Sequence, residues 1–489
     1  MTPESIGFAL LVLGLFLLIG KVIRVKVGIV QRLFLPSSVI GGALILLLGP
    51  QVLGQLASPW AENGLFTETM IEVWRVLPGL LISVVFATMF LGQELPTPRR
   101  AARLVGPQLS LGVALGSGQY VVGLLLAALI LVPAFAASPM TGALIEMGFE
   151  GGHGTAAGMR GVMEDLGFGE GADLAVGLAT VGIVGGIVVG IALINWGVRT
   201  GRTEILTGDV EASVEEQKGL FREDENYTAG TMTSRPASVE PLSLHIAVVA
   251  VAILIGWCIL EALRWIEQQT YASVLINGDT PLEIFAYVPL FPLALLGGVI
   301  LQVIAVRVGA DHLIDHQIML RIQGWALDFL IVAAIGTLSL QAIGENLAAF
   351  AILAVAGIAV NVGIFLWLAP RIIGRYWFER GIGDFGQSMG VTATGLILMR
   401  VTDPEGKSPA FEAFGYKQLV FEPFFGGGLV TALAVPIIFL TGIWPLFFAM
   451  LTVWLIAVGF GWFYFKPRAE KERAEVAAAG KDGAEAVTT

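Results

Sequence analysis

Stretches of about twenty apolar residues recur along almost the whole chain, each long enough to cross a hydrocarbon core of roughly 30 Å as a helix. Within such a core the protein itself must satisfy every backbone N–H and C=O, which restricts spanning structure to helices and closed barrels. The runs are continuous, with no alternation of apolar and polar residues, so they read as helices. Only 14% of the residues are charged, against roughly 25% in soluble domains. The expected fold is an all-α polytopic membrane protein, whose first partner is the lipid bilayer. The net charge of −11 comes mostly from the soluble parts, and no nucleic-acid partner is expected.

About eleven transmembrane helices are expected, near 5–23, 33–54, 74–92, 105–133, 174–197, 243–263, 285–306, 324–341, 346–370, 418–440 and 443–465. No basic residue precedes the first run, while Lys21, Arg24, Lys26 and Arg32 follow it. It therefore reads as a span with its N-terminus outside, not as a secretory signal. Crossing at each later span puts 25 of the 28 Lys and Arg on cytoplasmic segments and leaves Arg75, Arg160 and Arg264 outside. That distribution follows the positive-inside rule. The acidic, polar stretch 198–241 reads as a solvated cytoplasmic linker, and 466–489 as a low-complexity cytoplasmic tail, a short frayed helix or no fixed structure. The lone Cys258 lies in an apolar run, can form no internal disulfide and reads as a small buried apolar residue.

The linker divides two halves that match each other. "LFLPSSVIGGALI" (33–45) pairs with "PLFPLALLGGVIL" (289–301), each holding a proline, four residues and Gly-Gly. "FATMFLGQ" (86–93) pairs with "IGTLSLQ" (335–341), and "TAAG" (155–158) with "TATG" (392–395). The matches keep one order, which makes chance a poor explanation. The expected layout is a first repeat over 1–197 and a second over 242–440, followed by an extra helix at 443–465. Each repeat has five spans, so the two start on opposite sides of the membrane and are inverted. Inverted repeats with irregular backbone at corresponding positions mark secondary transporters.

Between the fourth and fifth spans of each repeat lies a Gly-rich stretch that fits no clean span, 134–173 and 371–417. Each begins and ends on one face, so each is expected to be a re-entrant hairpin of two half-helices with tips near 148–159 and 384–395. Non-helical backbone at membrane depth is tolerated only where protein buries it or where it lines a polar cavity. Exposed N–H groups at such tips suit an anion, and unwound carbonyls suit a hard cation such as Na⁺.

The motif "GGHGTAAG" (151–158), in a hairpin between the fourth and fifth helices of an inverted five-helix repeat, resembles the bacterial glutamate:sodium symporter family. The resemblance covers nearly all of 1–440. It implies a homodimer in the plasma membrane that takes up glutamate driven by sodium as the coupling ion, with a scaffold and a moving core working as an elevator. The second tip, "GDFGQSMGVTATGLILMRVTDP" (383–404), departs from the Pro/Thr-rich tip of glutamate carriers. The substrate expected is therefore glutamate or a related small anionic amino acid or dicarboxylate. The alternative is a proton-coupled or exporting carrier of another small organic anion. There is no nucleophile motif and no cluster of residues at metal-ligand spacing, so an enzyme is not expected.

Candidate substrate contacts are Gly151, Gly152, His153, Gly154, Thr155 and Arg160 in the first hairpin, with Gln387, Ser388, Gly390 and Thr392 in the second. Candidate sodium ligands are Thr155, Asn361, Ser388 and Thr394, because hydroxyl and amide oxygens suit a hard cation. Each has a bland reading. A mid-membrane hydroxyl often bonds only to its own helix carbonyl. His153 could orient the tip, and Arg160 could balance Glu150, Glu164 or Asp165. Asn361, Asp328 and Glu422 lie inside apolar runs, where an ionisable or amide group is a functional candidate by default. His312 and His316 stand at i, i+4 spacing but lack further ligands.

Overall fold

The computed structural model describes residues 2–33, 35–57, 61–93, 98–206, 218, 220–221, 228–270, 275–276, 280–281, 285, 288–403 and 406–485. Its helices are α1 (Pro3–Lys26), α2 (Ser37–Leu48), α3 (Glu68–Thr88), α4 (Pro98–Leu126), α5 (Leu144–Phe149), α6 (Gly152–Gly158), α7 (Gly169–Arg199) and α8 (Pro241–Thr270). There follow α9 (Leu290–Val308), α10 (His316–Gly336), α11 (Leu347–Ile372), α12 (Trp377–Thr402), α13 (Ala410–Phe421), α14 (Leu429–Thr441), α15 (Ile443–Phe460) and α16 (Lys466–Glu485). Among the described residues, ten helices are long and apolar enough to cross a membrane. A two-residue antiparallel pairing joins Leu275–Ile276 to Thr280–Pro281. Several starts follow from local chemistry. The Thr2 side chain accepts from the Ser5 amide, Thr67 from that of Met70 and Asp315 from that of Ile318, each satisfying an otherwise orphaned helix N–H.

The count of eleven spans is corrected at the tenth. Residues 418–440, expected as one helix, divide into the end of α13 and the thirteen-residue α14. The cause is local. Pro423 lacks an amide hydrogen, and Gly426 and Gly427 adopt φ of +67° and +102°, which no helix accommodates. The expected hairpin bounds also narrow. Residues 371–372 end α11 and 410–417 belong to α13, while Val132–Phe135 prolong the fourth span. Of the linker, 207–217, 219 and 222–227 lie outside the described residues, as do 486–489 of the tail. The rest of the tail forms α16.

The helices pack as two bodies. In the first, α1 lies on α2, α8 on α9, and α10 on α2 and α3. Glycines make the close approaches. A Cβ on Gly41 would meet the Phe16 carbonyl oxygen of α1 at 2.7 Å, and one on Gly297 would meet that of Ala252 in α8 at 2.0 Å. The next glycine of each pair faces the third helix of the other half: Gly42 meets Ile335 of α10, and Gly298 meets Ala87 of α3. The two Pro-x4-Gly-Gly motifs thus make equivalent contacts, with every interhelical approach set by a missing side chain.

In the second body α4 packs on α11, α13 and α15, while α7 packs on α5, α6 and α12. The two bodies touch prominently where the short α6 lies on α3 and α10. There a Cβ on Gly154 or Gly158 would meet Ile82 at 2.9 or 3.0 Å.

Candidate functional site

Three interruptions of helical backbone converge in the second body. The first falls at Glu150–Gly151, between α5 and α6, where Gly152 takes φ +68°. The second is inside α12, at Gly390 and Val391. The third is 422–428, between α13 and α14. Helix α12 folds back at its interruption: a Cβ on Gly386 would lie 2.7 Å from the Gly395 Cα, and one on Gly383 would lie 2.3 Å from the Met399 sulfur. Residues on either side of 390–391 therefore pack against each other as two antiparallel arms. Val391, a β-branched residue at φ +62°, sits over the first break, 2.2 Å from where a Cβ on Gly152 would be. That conformation is strained for any branched side chain. The third break closes over the first. A Cβ on Gly427 would meet the Thr155 Oγ1 at 2.3 Å, and one on Gly426 would lie 3.6 Å from the Glu150 carbonyl oxygen.

Two buried glutamates of the first break define the chemistry. Glu146 is fully satisfied: its Oε1 accepts from the Gly426 amide (3.0 Å) and the Thr431 hydroxyl (2.8 Å), and its Oε2 from the Tyr120 hydroxyl (2.5 Å). It ties the first break to α4 and to the start of α14. Glu150 is only half satisfied. Its Oε1 accepts from the Ser388 hydroxyl at 2.9 Å, and its buried Oε2 has no hydrogen-bond partner. Gly116 of α4 leaves room for it, since a Cβ there would sit 2.6 Å from that oxygen. The Ser388 carbonyl accepts from Gln119 (2.8 Å) and Asn361 (2.9 Å), and the Asn361 Oδ1 from Gln119 (3.1 Å). The Gln119 Oε1 and the Thr155 Oγ1 are also buried without a partner. An isolated buried acceptor costs on the order of 1–3 kcal/mol. All three lie on elements that pack at the breaks, the Glu150 and Thr155 oxygens on the first break and the Gln119 amide on α4.

The residues singled out from the sequence divide. Gly151, Gly152, Gly154 and Thr155 lie at or just after the first break, and Gln387, Ser388 and Gly390 before the second. His153 is buried and its Nε2 lies 2.9 Å from the Thr180 hydroxyl, which itself donates to the Val176 carbonyl. The imidazole is thus placed as a donor that fixes α6 on α7. Arg160 turns to Asp173, 2.7 Å away, and only reaches to 4.0 Å of Glu164. Asp173 accepts in addition from the Ser339 amide, so this guanidinium is part of a local brace. Thr392 donates to Glu422 at 2.9 Å and accepts from Gln418 at 2.8 Å. The Thr394 hydroxyl bonds back to the Gly390 carbonyl. Asn361 spends both ends of its amide on Gln119 and on the Ser388–Met389 turn. His316 lies beside Gln93 and the Leu91 carbonyl, and His312 beside the Gly309 carbonyl.

Glu146, Glu150, Gln119, Tyr120, Asp384 and Lys417 were not candidates from the sequence. Their signal was present, since each is a polar or ionisable group within a largely apolar stretch. Arg380 and Lys417, counted from the sequence on a cytoplasmic segment, are both buried within the protein. Lys417 pairs with Asp384 at 3.1 Å, and Gln108 lies beside Arg380.

No curated protein matches the chain. A family model described as sodium/glutamate symporter matches residues 5–403, a stretch that takes in both Gly-Gly pairs, the first break with Glu146 and Glu150, and the folded-back arms of α12. With most of its length and two of its three helix breaks inside that match, the chain belongs to the sodium/glutamate symporter family.

Proposed function

We propose that this chain is a secondary active transporter that carries glutamate, or a related small anionic amino acid or dicarboxylate, inward across the plasma membrane. Sodium is the coupling ion that the family's description names. The observation that supports the reading is the half-satisfied carboxylate of Glu150, buried where the first and second breaks touch. An anionic substrate cannot approach two buried glutamates unless a cation comes with it, because Coulomb repulsion is weakly screened there. Sodium takes oxygen ligands, and the Glu150 Oε2, Gln119 Oε1 and Thr155 Oγ1 are the acceptors on hand. With sodium held there, Gly151, Gly152 and the Ser388–Thr392 turn offer backbone groups to a carboxylate.

The two bodies fit an elevator-like movement. In this reading the first is a scaffold and the second carries the site, sliding along α3 and α10 on the bare face of α6. The halves are inverted repeats, 1–197 and 242–440, and the breaks within 134–173 and 371–417 are re-entrant hairpins that enter from opposite faces. The N-terminus lies outside, the C-terminus is cytoplasmic, and the working unit is a homodimer.

The test is uptake of labelled glutamate into proteoliposomes holding the purified full-length carrier. An inward sodium gradient should drive accumulation, and choline in its place should abolish it. Uptake that is unchanged in choline and follows a pH gradient would replace this reading with a proton-coupled carrier. A panel of amino acids and dicarboxylates tested for sodium-dependent thermal stabilisation identifies the substrate, because a ligand that binds only the folded state raises its melting temperature.

A further inference from the structure

Lys417 lies beyond the stretch matched by the family model, in α13, and is fully buried. Its Nζ is 3.1 Å from the Asp384 Oδ1 and donates to the Gln387 Oε1. Phe421 and Phe414, one turn away on either side in α13, place their rings 4.1 and 5.3 Å from the ammonium. On α4, Gly112 clears its path, since a Cβ there would come 2.6 Å from the lysine Cε. Asp384 and Ser388 are four residues apart on one arm of α12, so the pair sits one helical turn, about 6 Å along the axis, from the serine that holds Glu150. The buried carboxyls around the breaks are Glu146, Glu150, Asp384 and Glu422, while Lys417 is a cation placed among them. Arg380, one turn toward the start of α12, is a second buried cation and lies against Gln108. All these groups belong to the body that, in the reading above, moves.

We propose that Lys417 is a built-in cation of the transport site, whose ammonium, paired with Asp384 one turn from Glu150, neutralises a buried carboxylate and thereby sets how many sodium ions accompany each substrate. The inference rests on the sodium-coupled reading. A charge that moves with the site must be balanced on each crossing, because an unpaired ion in a low-dielectric interior is prohibitively costly. A lysine fixed in the moving body does permanently what a sodium ion would otherwise do once per cycle.

The experiment measures sodium ions per substrate in proteoliposomes, from the sodium gradient that just halts net flux. The slope of sodium-dependent thermal stabilisation of the purified carrier is measured beside it and needs no transport. Asp384→Asn leaves the lysine unopposed beside Glu150, and the expected result is one sodium ion fewer and a shallower slope. Lys417→Met takes from Asp384 the ammonium it pairs with, and one more sodium ion with a steeper slope is expected. The double variant should return to the wild-type number. Wild-type values in both single variants would overturn the assignment and make the pair a structural brace. A wild-type carrier indifferent to sodium would instead overturn the sodium-coupled reading itself. Should Asp384→Asn not fold, Lys417→Met decides alone.

Discussion

The two breaks that touch are built alike and equipped differently. The first turns at a glycine, Gly152 at φ +68°, and brings two carboxylates, Glu146 and Glu150. The second turns at a valine, Val391 at φ +62°, and brings hydroxyls, amides and a shared carbonyl at Ser388. At the turn itself the first therefore supplies charge and the second supplies neutral dipoles and shape, with the charges of α12, Asp384 and Arg380, one and two turns before Ser388. The valine is the costlier choice at positive φ and extended ψ, by roughly 1–3 kcal/mol. Its side chain fills the space that the absent Cβ of Gly152 leaves open. The difference teaches that two breaks of similar geometry can be equipped with different side chains once they meet.

The sharpest way to break that contrast is to remove the charge alone. Glu150→Gln keeps the shape and should lower sodium-driven uptake about 100-fold, the equivalent of roughly 2.7 kcal/mol. The carrier should still reach the membrane, and sodium should no longer raise its melting temperature. Uptake within threefold of wild type would show that Glu150 does not face the ion. Next comes Gly152→Ala, whose methyl would run into Val391. Uptake should fall on the order of 10-fold, and Gly152→Ala with Val391→Ala should recover most of it, since the pair costs only the left-handed alanine, about 1 kcal/mol. Failure of the second change to help would mean that the two tips do not bear on each other during transport.

Smaller effects sharpen the division between site and brace. Arg160→Gln should lower the melting temperature by a few degrees, because removing one partner of a largely buried pair leaves Asp173 uncompensated. The KM for glutamate should shift less than about threefold in that variant, and a larger shift would return Arg160 to the substrate site. Thr394→Val should be close to silent, less than twofold in uptake, since its hydroxyl serves only its own helix turn.

Much of the fold was legible in the sequence, for reasons the structure makes concrete. Apolar runs mark nearly every long helix, and the paired Pro-x4-Gly-Gly motifs marked contacts that depend on having no side chain. The helix breaks around Gly152 and Gly390 were legible because glycine density shows where a helix cannot continue. The break at 422–428 was missed, because apolar residues on both sides hide it and its signal is just Pro423 and three consecutive glycines. The site was less legible than the fold. Glu150 read as an outer-face charge that Arg160 could balance and Lys417 as a cytoplasmic one, since a linear sequence does not show that Ser388, far along the chain, meets the first and that Asp384 meets the second. Arg160 and Thr394 have the residue types expected of a binding site, but nearer partners claim them.

One face of α6 carries no side chains where it meets Ile82, only Gly154 and Gly158 spaced by one helical turn. A surface of backbone and hydrogen atoms has no knobs to lift over a neighbouring ridge. Displaced by one turn, about 6 Å, it would still set one of the two glycines against Ile82. Such a seam can hold its partner closely at more than one height, a property that interlocked leucines would forbid.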